Sequence, residues 1–589
     1  MANLVSFLRD IAKEELSAGI RETLPEMSPL FRRIVNSWEN VQRNDIGRPA
    51  FNASGTPIYG SGWVFRWLWN VGGGGSFYFT NPNPDLIGGG SDNMQNVAVF
   101  AENADFPGVS DYVVGRYAVP FVGLCEGRGS LILPHQLLRA NQLDSVVVDK
   151  VAQEIKNSAD LLAHTEAVCY FSRSPAHGEV IRSPVFGASS PSSATSSGYL
   201  EREKMDGTAD DYSLTLHNIG SEDQILRLRP GMTVDVYQIV CTNTTTSGMQ
   251  TVSIKNLSAG SSGAFVVDVV DPVGKKATFV SKDGSAAVNP ASSDSIAAGA
   301  YGFVAYVVLL NKTGRIASTS SVSVVPLSSA DFSVMVSSTA SEYSKQAILT
   351  NLLYNTAYSS GTRIGYAPDG LESWIKTQYS DTLYGISLAR IPQVKSLEYV
   401  LSGSGDYLTE SLLNDLIGFF MNQYGPSKMF DVLLTSNGVL NGFFRNLMHW
   451  SGSPTGMQAQ LAQNVDRNGK AAKWRTGWDE LVVSYRGKSF TLMDDPFLRK
   501  STMYGIKSRD GNLRRLVPPR IPGSGSKSDF TDVEFIAPLG GSDSIWKHAH
   551  SSSGSTTDYI EAPFVVTKQH FMLDPCCLVI RNLKESEGV

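Results

Sequence analysis

Two histidines one residue apart, His548 and His550 in the run KHAH, come nearest to metal chemistry by type and spacing. On one strand they would share a face. A zinc-like ion would need at least one more protein ligand. No third ligand of suitable spacing lies nearby, and the loop HSSSGS follows. A hydrolase built on this pair would have to recruit a distant carboxylate. Asp494 and Asp495 are adjacent, so on a strand they point to opposite faces. Carboxylate-pair catalysis needs convergence on one site, and Pro496 favours a turn instead. The runs VGGGGS and IGGGS lack the Gly-Lys-Ser/Thr ending of a phosphate loop. No GxSxG elbow is present. His164 reads as a packed or half-exposed histidine. The expectation is therefore no enzyme, no cofactor and no metal.

Composition narrows the classes further. The formal net charge is −6, and no block of Lys or Arg forms a basic stripe. Reading a nucleic-acid sequence needs clustered positive charge, so only weak, non-specific contact is expected. The cysteines, Cys125, Cys169, Cys241, Cys576 and Cys577, are odd in number and form no CxxC pair. Reduced thiols fit better than a disulfide framework or zinc site. The start, MANLVSFLRDIAKEEL, is amphipathic and acidic rather than signal-like. No run of apolar residues is long enough to span a bilayer, so no membrane segment is expected.

What must position any site is a mixed set of elements. Asn141 to Phe171 carries Leu143, Val147, Val151, Ile155, Ala159 and Leu162 at spacings of four and finally three. That is one apolar stripe on a long helix, spanning roughly 45 Å. It reads either as a core helix or as a strut between strand-rich regions. Residues 1–45 read as a helical arm. Residues 46–125 read as an extended loop built on a hairpin. Trp63, Phe65, Trp67 and Trp69 alternate on one run, and Phe77, Tyr78 and Phe79 follow Gly72, Gly73, Gly74 and Gly75. The glycines are the expected flexible tip. Such a ribbon must bury its aromatics on something, either its own body or a neighbouring subunit.

Residues 126–199 hold the long helix and a Ser/Gly-rich linker. Residues 200–340 read as short strands divided by turns, a β-barrel or sandwich. Residues 341–480 are α/β, with Asp369 an expected N-cap, TLYGISLARI an expected strand and Thr409 and Gly425 bracketing an amphipathic helix. Residues 481–589 return as strands. The fold class is α+β.

The stretch YAPDGLESWIKTQYSDTLYGISLARIPQVKSLEY resembles a region of tailed-bacteriophage major capsid proteins. The matching positions are Gly370, Leu371, Tyr384, Gly385, Ile386, Arg390 and Pro392. GKSFTLMDDPFL and the closing APFVVTKQHFMLDPCCLVIRNL are similar to later elements of that family. The order of elements along the whole chain is similar too.

The resemblance implies the Hong Kong-phage-type capsid fold, with N-terminal arm, extended loop, spine helix and axial domain. Residues 200–340 exceed that minimal fold and read as an inserted β domain. The resemblance also implies pentamers and hexamers of an icosahedral shell around double-stranded DNA, formed in host cytoplasm. Scaffolding, portal and cement proteins are possible partners. Family members that crosslink use a Lys and an Asn, and no local pattern here selects such a pair. Interface aromatics on a ribbon suit this role, since buried apolar area contributes about 25 cal/mol per Å² before ordering costs. The alternative is another virion protein, a tail or baseplate component with a carbohydrate-binding β domain.

Overall fold

The structure is a computed structural model. It describes residues 20–36, 50–51, 57–58, 64–72, 116–134, 144–172, 180–182, 186–187, 200–204, 212–216, 225–243, 250–257, 265–281, 301–310, 323–337, 340, 344–353, 368–402, 405–450, 480–485, 488–516, 533–535, 547–550 and 556–586, apart from a few single positions within them. It is mixed helix and sheet, as expected.

The long helix runs Asp144–Tyr170. Ile155, Ala159, Ala163 and Ala167 form its buried stripe. The stripe keeps its four-residue step through two alanines rather than turning to Leu162, which is only half-buried against the core. Small side chains let the neighbouring elements approach the helix backbone. From Glu166 to Ser172 every residue is buried, whereas Gln153, Glu154, Lys156 and Asn157 are exposed. The C-terminal turns of the helix thus sit inside the molecule, surrounded on all faces.

Under that end lies the strand Thr556–Met572, 17 residues long. It pairs antiparallel with Cys125–Pro134 along one edge. Leu513–Leu516, Val533–Phe535 and Lys547–His550 pair with it as well. Val35–Asn36 joins Leu513–Leu516 in parallel. The N-terminal segment reaching that strand is a strap across the core. Ile20, Leu24, Leu30 and Phe31 are buried, and a 3-10 turn at Pro29–Arg33 follows Ser28.

A second sheet has the order Leu397–Val400, Leu578–Arg581, Thr502–Ile506, Val432–Thr435, Lys488–Asp494 and Glu480–Tyr485. Val432–Thr435 is buried at every position, so it carries an unbroken apolar run rather than alternation. Helix Glu410–Tyr424 packs here with Thr409 as N-cap, its hydroxyl accepting from Leu412 N at 3.2 Å. Gly425 ends it at φ 79, a left-handed conformation that favours glycine.

A third sheet, of ten strands, is built around Thr233–Asn243 and Tyr301–Leu310. It also takes in Val180–Arg182 and Phe186–Gly187. Its second face packs on Phe332, Met335, Ile348, Leu349, Leu352 and Leu353.

Three local expectations change. Gly370, not Asp369, is the N-cap of the short helix Leu371–Trp374. The Asp369 carboxylate instead accepts from Ser373 Oγ at 3.0 Å and Gln569 Nε2 at 3.0 Å. TLYGISLARI is not one strand: Thr382–Leu383 folds back on Ile386–Ser387, with Tyr384 at φ 50.

The aromatic ribbon is paired differently as well. Val64–Arg66 pairs with Phe121–Gly123, and Trp69–Gly72 with Arg116–Ala118. Gly72 therefore stands in a ladder opposite Arg116 rather than in a free tip.

Candidate functional site: the ion cluster beneath the long helix

Sequence reading assigned no role to Glu166, Arg515, Lys568 or His570, yet the fold brings them together. Glu166 lies one turn before the end of the long helix, and its side chain has no exposure. Lys568 and His570 are two apart on the strand Thr556–Met572, so they share a face. Arg515 stands directly opposite His570 in the antiparallel ladder.

Arg515 Nε lies 3.0 Å from Glu166 Oε1 and its Nη2 donates to Oε2 at 3.1 Å. His570 Nε2 is 2.8 Å from Oε1, and Lys568 Nζ donates to Oε2. One carboxylate thus receives three cationic or imidazole partners.

The electrostatics follow from this crowding. Burial alone would raise the Glu166 carboxyl. Arg515, Lys568 and His570 outweigh it and hold it well below the usual carboxylate range. Burial lowers His570 against the pull of Glu166. The ring also packs edge-on to Tyr170 and Phe31, with centroids 5.0 and 5.8 Å away. All four residues of this ion cluster are buried. What it does is fix register, because removing one partner would leave an uncompensated buried charge.

Further carboxylates lock the second sheet. Glu372 takes Arg581 in a fork, Nη1 to Oε1 and Nη2 to Oε2, each at 2.8 Å. Tyr504 Oη donates to the same carboxylate, and Arg581 Nε donates to Glu398. Asp431 accepts from Ser508 N at 2.5 Å and Ser508 Oγ at 2.6 Å, with Arg33 of the strap at 3.9 Å. His164, buried on the long helix, lies with Nε2 3.1 Å from the Arg227 carbonyl. Burial and then Arg229 lower it to about 4.

The residues singled out from sequence are placed unevenly. Trp67 is half-buried on its own chain, against Tyr384 and Phe571 at 5.1 and 5.2 Å. It packs the ribbon on its own body, the first of the two alternatives for Trp67. Val122 opposite the ribbon joins the same cluster. Phe65 and Trp69 lie in strands, and Val147 and Val151 in the long helix, but their side chains are outside the described residues. Trp63, Phe77, Tyr78, Phe79, Gly73, Gly74, Gly75 and Leu143 also lie outside them.

His548 and His550 stand on a strand with an irregular register between them. Among the described residues no group of three or more His, Cys, Asp or Glu could hold a metal ion. Cys169, Cys241, Cys576 and Cys577 are buried and form no disulfide among the described residues. Asp495, read as a turn residue, is buried and accepts from Ser28 Oγ. Among the described residues no helix is long and apolar enough to cross a membrane.

No family model and no curated protein matches the chain. Among solved structures, the capsid asymmetric unit of cyanophage A-1(L) is similar at 15% identity, over 46% of this chain and 84% of that one, with TM-score 0.25. The holo-SrpI encapsulin complex of Synechococcus elongatus is similar at 12% identity, over 41% and 67%, with TM-score 0.18. The icosahedrally averaged capsid of jumbo bacteriophage PhiKZ is similar at 7% identity, over 71% and 70%, with TM-score 0.15. These neighbours are shell proteins, and at such TM-scores the likeness carries no argument of its own.

Proposed function

We propose that the chain is a shell-forming structural protein, a major capsid subunit. In this reading it assembles through pentamers and hexamers into an icosahedral head around double-stranded DNA, and it acts without a catalytic centre. The observation that carries the reading is the arrangement around the ribbon. Residues 64–72 pair with 116–123 and are tied to the body at Trp67. The sequence between these two strand pairs, 73–115, is where this reading puts the extended loop. In this reading the long helix Asp144–Tyr170 is the spine of the subunit. Heterologous contacts between such subunits close into rings about rotation axes.

Electron microscopy of the purified full-length chain, with mass by light scattering, tests this directly. Closed shells or capsomers are expected. A stable monomer under all assembly conditions would overturn the reading. A trimer or small ring that binds glycans would favour a tail or baseplate component instead. Limited proteolysis adds a second readout: cleavage within the segment 73–115 is expected to be fast in free subunits and slow in shells.

A further inference from the structure

Several carboxylates among the described residues sit beside a cation. Glu166 has Arg515 and Lys568, Glu372 has Arg581, and Asp431 has Arg33 and Arg509. Asp495 differs. It is 2% exposed, directly after the strand Lys488–Asp494. One carboxyl oxygen takes the hydroxyl of Ser28, and the other takes Phe497 N–H at 3.0 Å. The backbone N–H of Leu30 also faces it.

The titratable and charged neighbours give the carboxyl no compensation. Asp494 precedes it and opposes its ionisation. The Tyr170 hydroxyl faces it from the end of the long helix. Arg227 donates to the Phe497 carbonyl, and His164 packs on the Phe497 ring at 5.2 Å. Arg499 lies further along the same buried turn. Among the described residues no cation pairs with Asp495.

Ser28 is the joint of the N-terminal strap. It is fully buried, its N–H donates to Leu24 O at 3.1 Å, and its carbonyl accepts from Phe31 N at 3.1 Å. The strap's other ties lie on either side of this joint. Thr23 Oγ1 donates to Asp160 Oδ1 at 3.2 Å on the long helix, and Arg33 Nη1 donates to Ser508 Oγ at 3.3 Å.

We propose that Asp495 is a proton-controlled latch on the strap 20–36, closed when its carboxyl is protonated and loosened when it ionises. Closed, the neutral carboxyl holds Ser28 without burying a charge. Ionised, it places an uncompensated charge next to Asp494 and beside the buried Tyr170 hydroxyl. Burial raises the carboxyl from 3.8 to about 7 despite its three donors. For a group raised on folding, the stability is fully present below the ordinary carboxylate range. It is lost as pH rises through about 7.

The latch is a property of the single subunit and does not depend on shell formation. Hydrogen exchange by mass spectrometry on the free full-length chain, corrected for intrinsic pH dependence, reads it in peptides covering 22–36. Strap opening is expected to rise roughly tenfold to a hundredfold between about pH 5 and pH 8. Asp495→Asn should abolish that rise. Should that variant fail to fold, Ser28→Ala should raise opening at both ends and steepen the rise, because the Ser28 hydroxyl favours the ionised carboxyl; a rise no steeper than in the natural chain would overturn the latch. Equal protection of the strap at both pH values in the natural chain would overturn the latch. So would an unchanged rise in Asp495→Asn.

Discussion

Glu166 and His570 are 404 residues apart in the chain, and their side chains meet at 2.8 Å. The helix and the strand that carry them are therefore locked in one relative position by a contact that nothing local could specify. Glu166→Gln keeps the shape but removes the charge that Arg515 and Lys568 face. A loss of about 3–5 kcal/mol in unfolding free energy is expected, the usual consequence of orphaning buried charge. Urea unfolding followed by far-UV circular dichroism would measure it, and a loss below 1 kcal/mol would show the cluster to be dispensable.

Gly370 tests how closely the long helix approaches its neighbour. A Cβ there would lie 2.1 Å from the Tyr170 carbonyl oxygen and 2.9 Å from that of Cys169. Both obstacles are backbone, so no rotamer change relieves them. Gly370→Ala is expected to destabilise by about 1–3 kcal/mol or more, read as a lower thermal midpoint.

Arg581 tests fork geometry. Lysine at this position keeps the charge but cannot bond both oxygens of Glu372 and also reach Glu398. Arg581→Lys is expected to cost about 1.5–3 kcal/mol, again by urea unfolding. A neutral outcome would mean that charge alone holds this sheet.

The acid limb of stability follows from two groups with the same sign. His164 is lowered from 6.5 to about 4, chiefly by burial. Glu166 is held well below 4.5 by its cations. Each contributes stability that is fully present above its unfolded pKa and is lost as pH falls. The contributions of these two groups to the unfolding free energy should therefore begin to fall below about pH 6.5 and steepen below about pH 4.5, against the opposite slope that Asp495 supplies. His164→Gln should flatten the upper part of that limb, and an unchanged profile would remove His164 as a cause.

What could be read in advance follows the range of the forces involved. The ends of helix Glu410–Tyr424 are set by Thr409 and Gly425, whose capping acts within a turn, and both were legible. The apolar stripe through Ile155 and Ala159 was legible for the same reason. The ion cluster was not, because Lys568 and His570 look like ordinary polar positions until Arg515 and the long helix arrive from elsewhere. Their alternation on one strand face was the available signal. The ribbon misled in a different way. Gly72–Gly75 resembled a hairpin turn, but the observed ladder partners lie some fifty residues on, where Arg116 and Phe121 close it. The ring partners of Trp67, Tyr384 and Phe571, were not legible because they belong to segments far along the chain.

The strand Thr556–Met572 has a consequence for how the subunit is made. Cys125–Pro134, Leu513–Leu516 and, through the latter, Val35–Asn36 all depend on it, directly or at one remove. Translation delivers it after every one of them, at about 5–20 residues per second. The early segments therefore wait on the ribosome with unpaired edges and an unneutralised Glu166. Contacts of such sequence separation also close slowly. The late arrival of a single strand thus acts as a timer: the sheet around Glu166 closes only after residues 556–572 have been made.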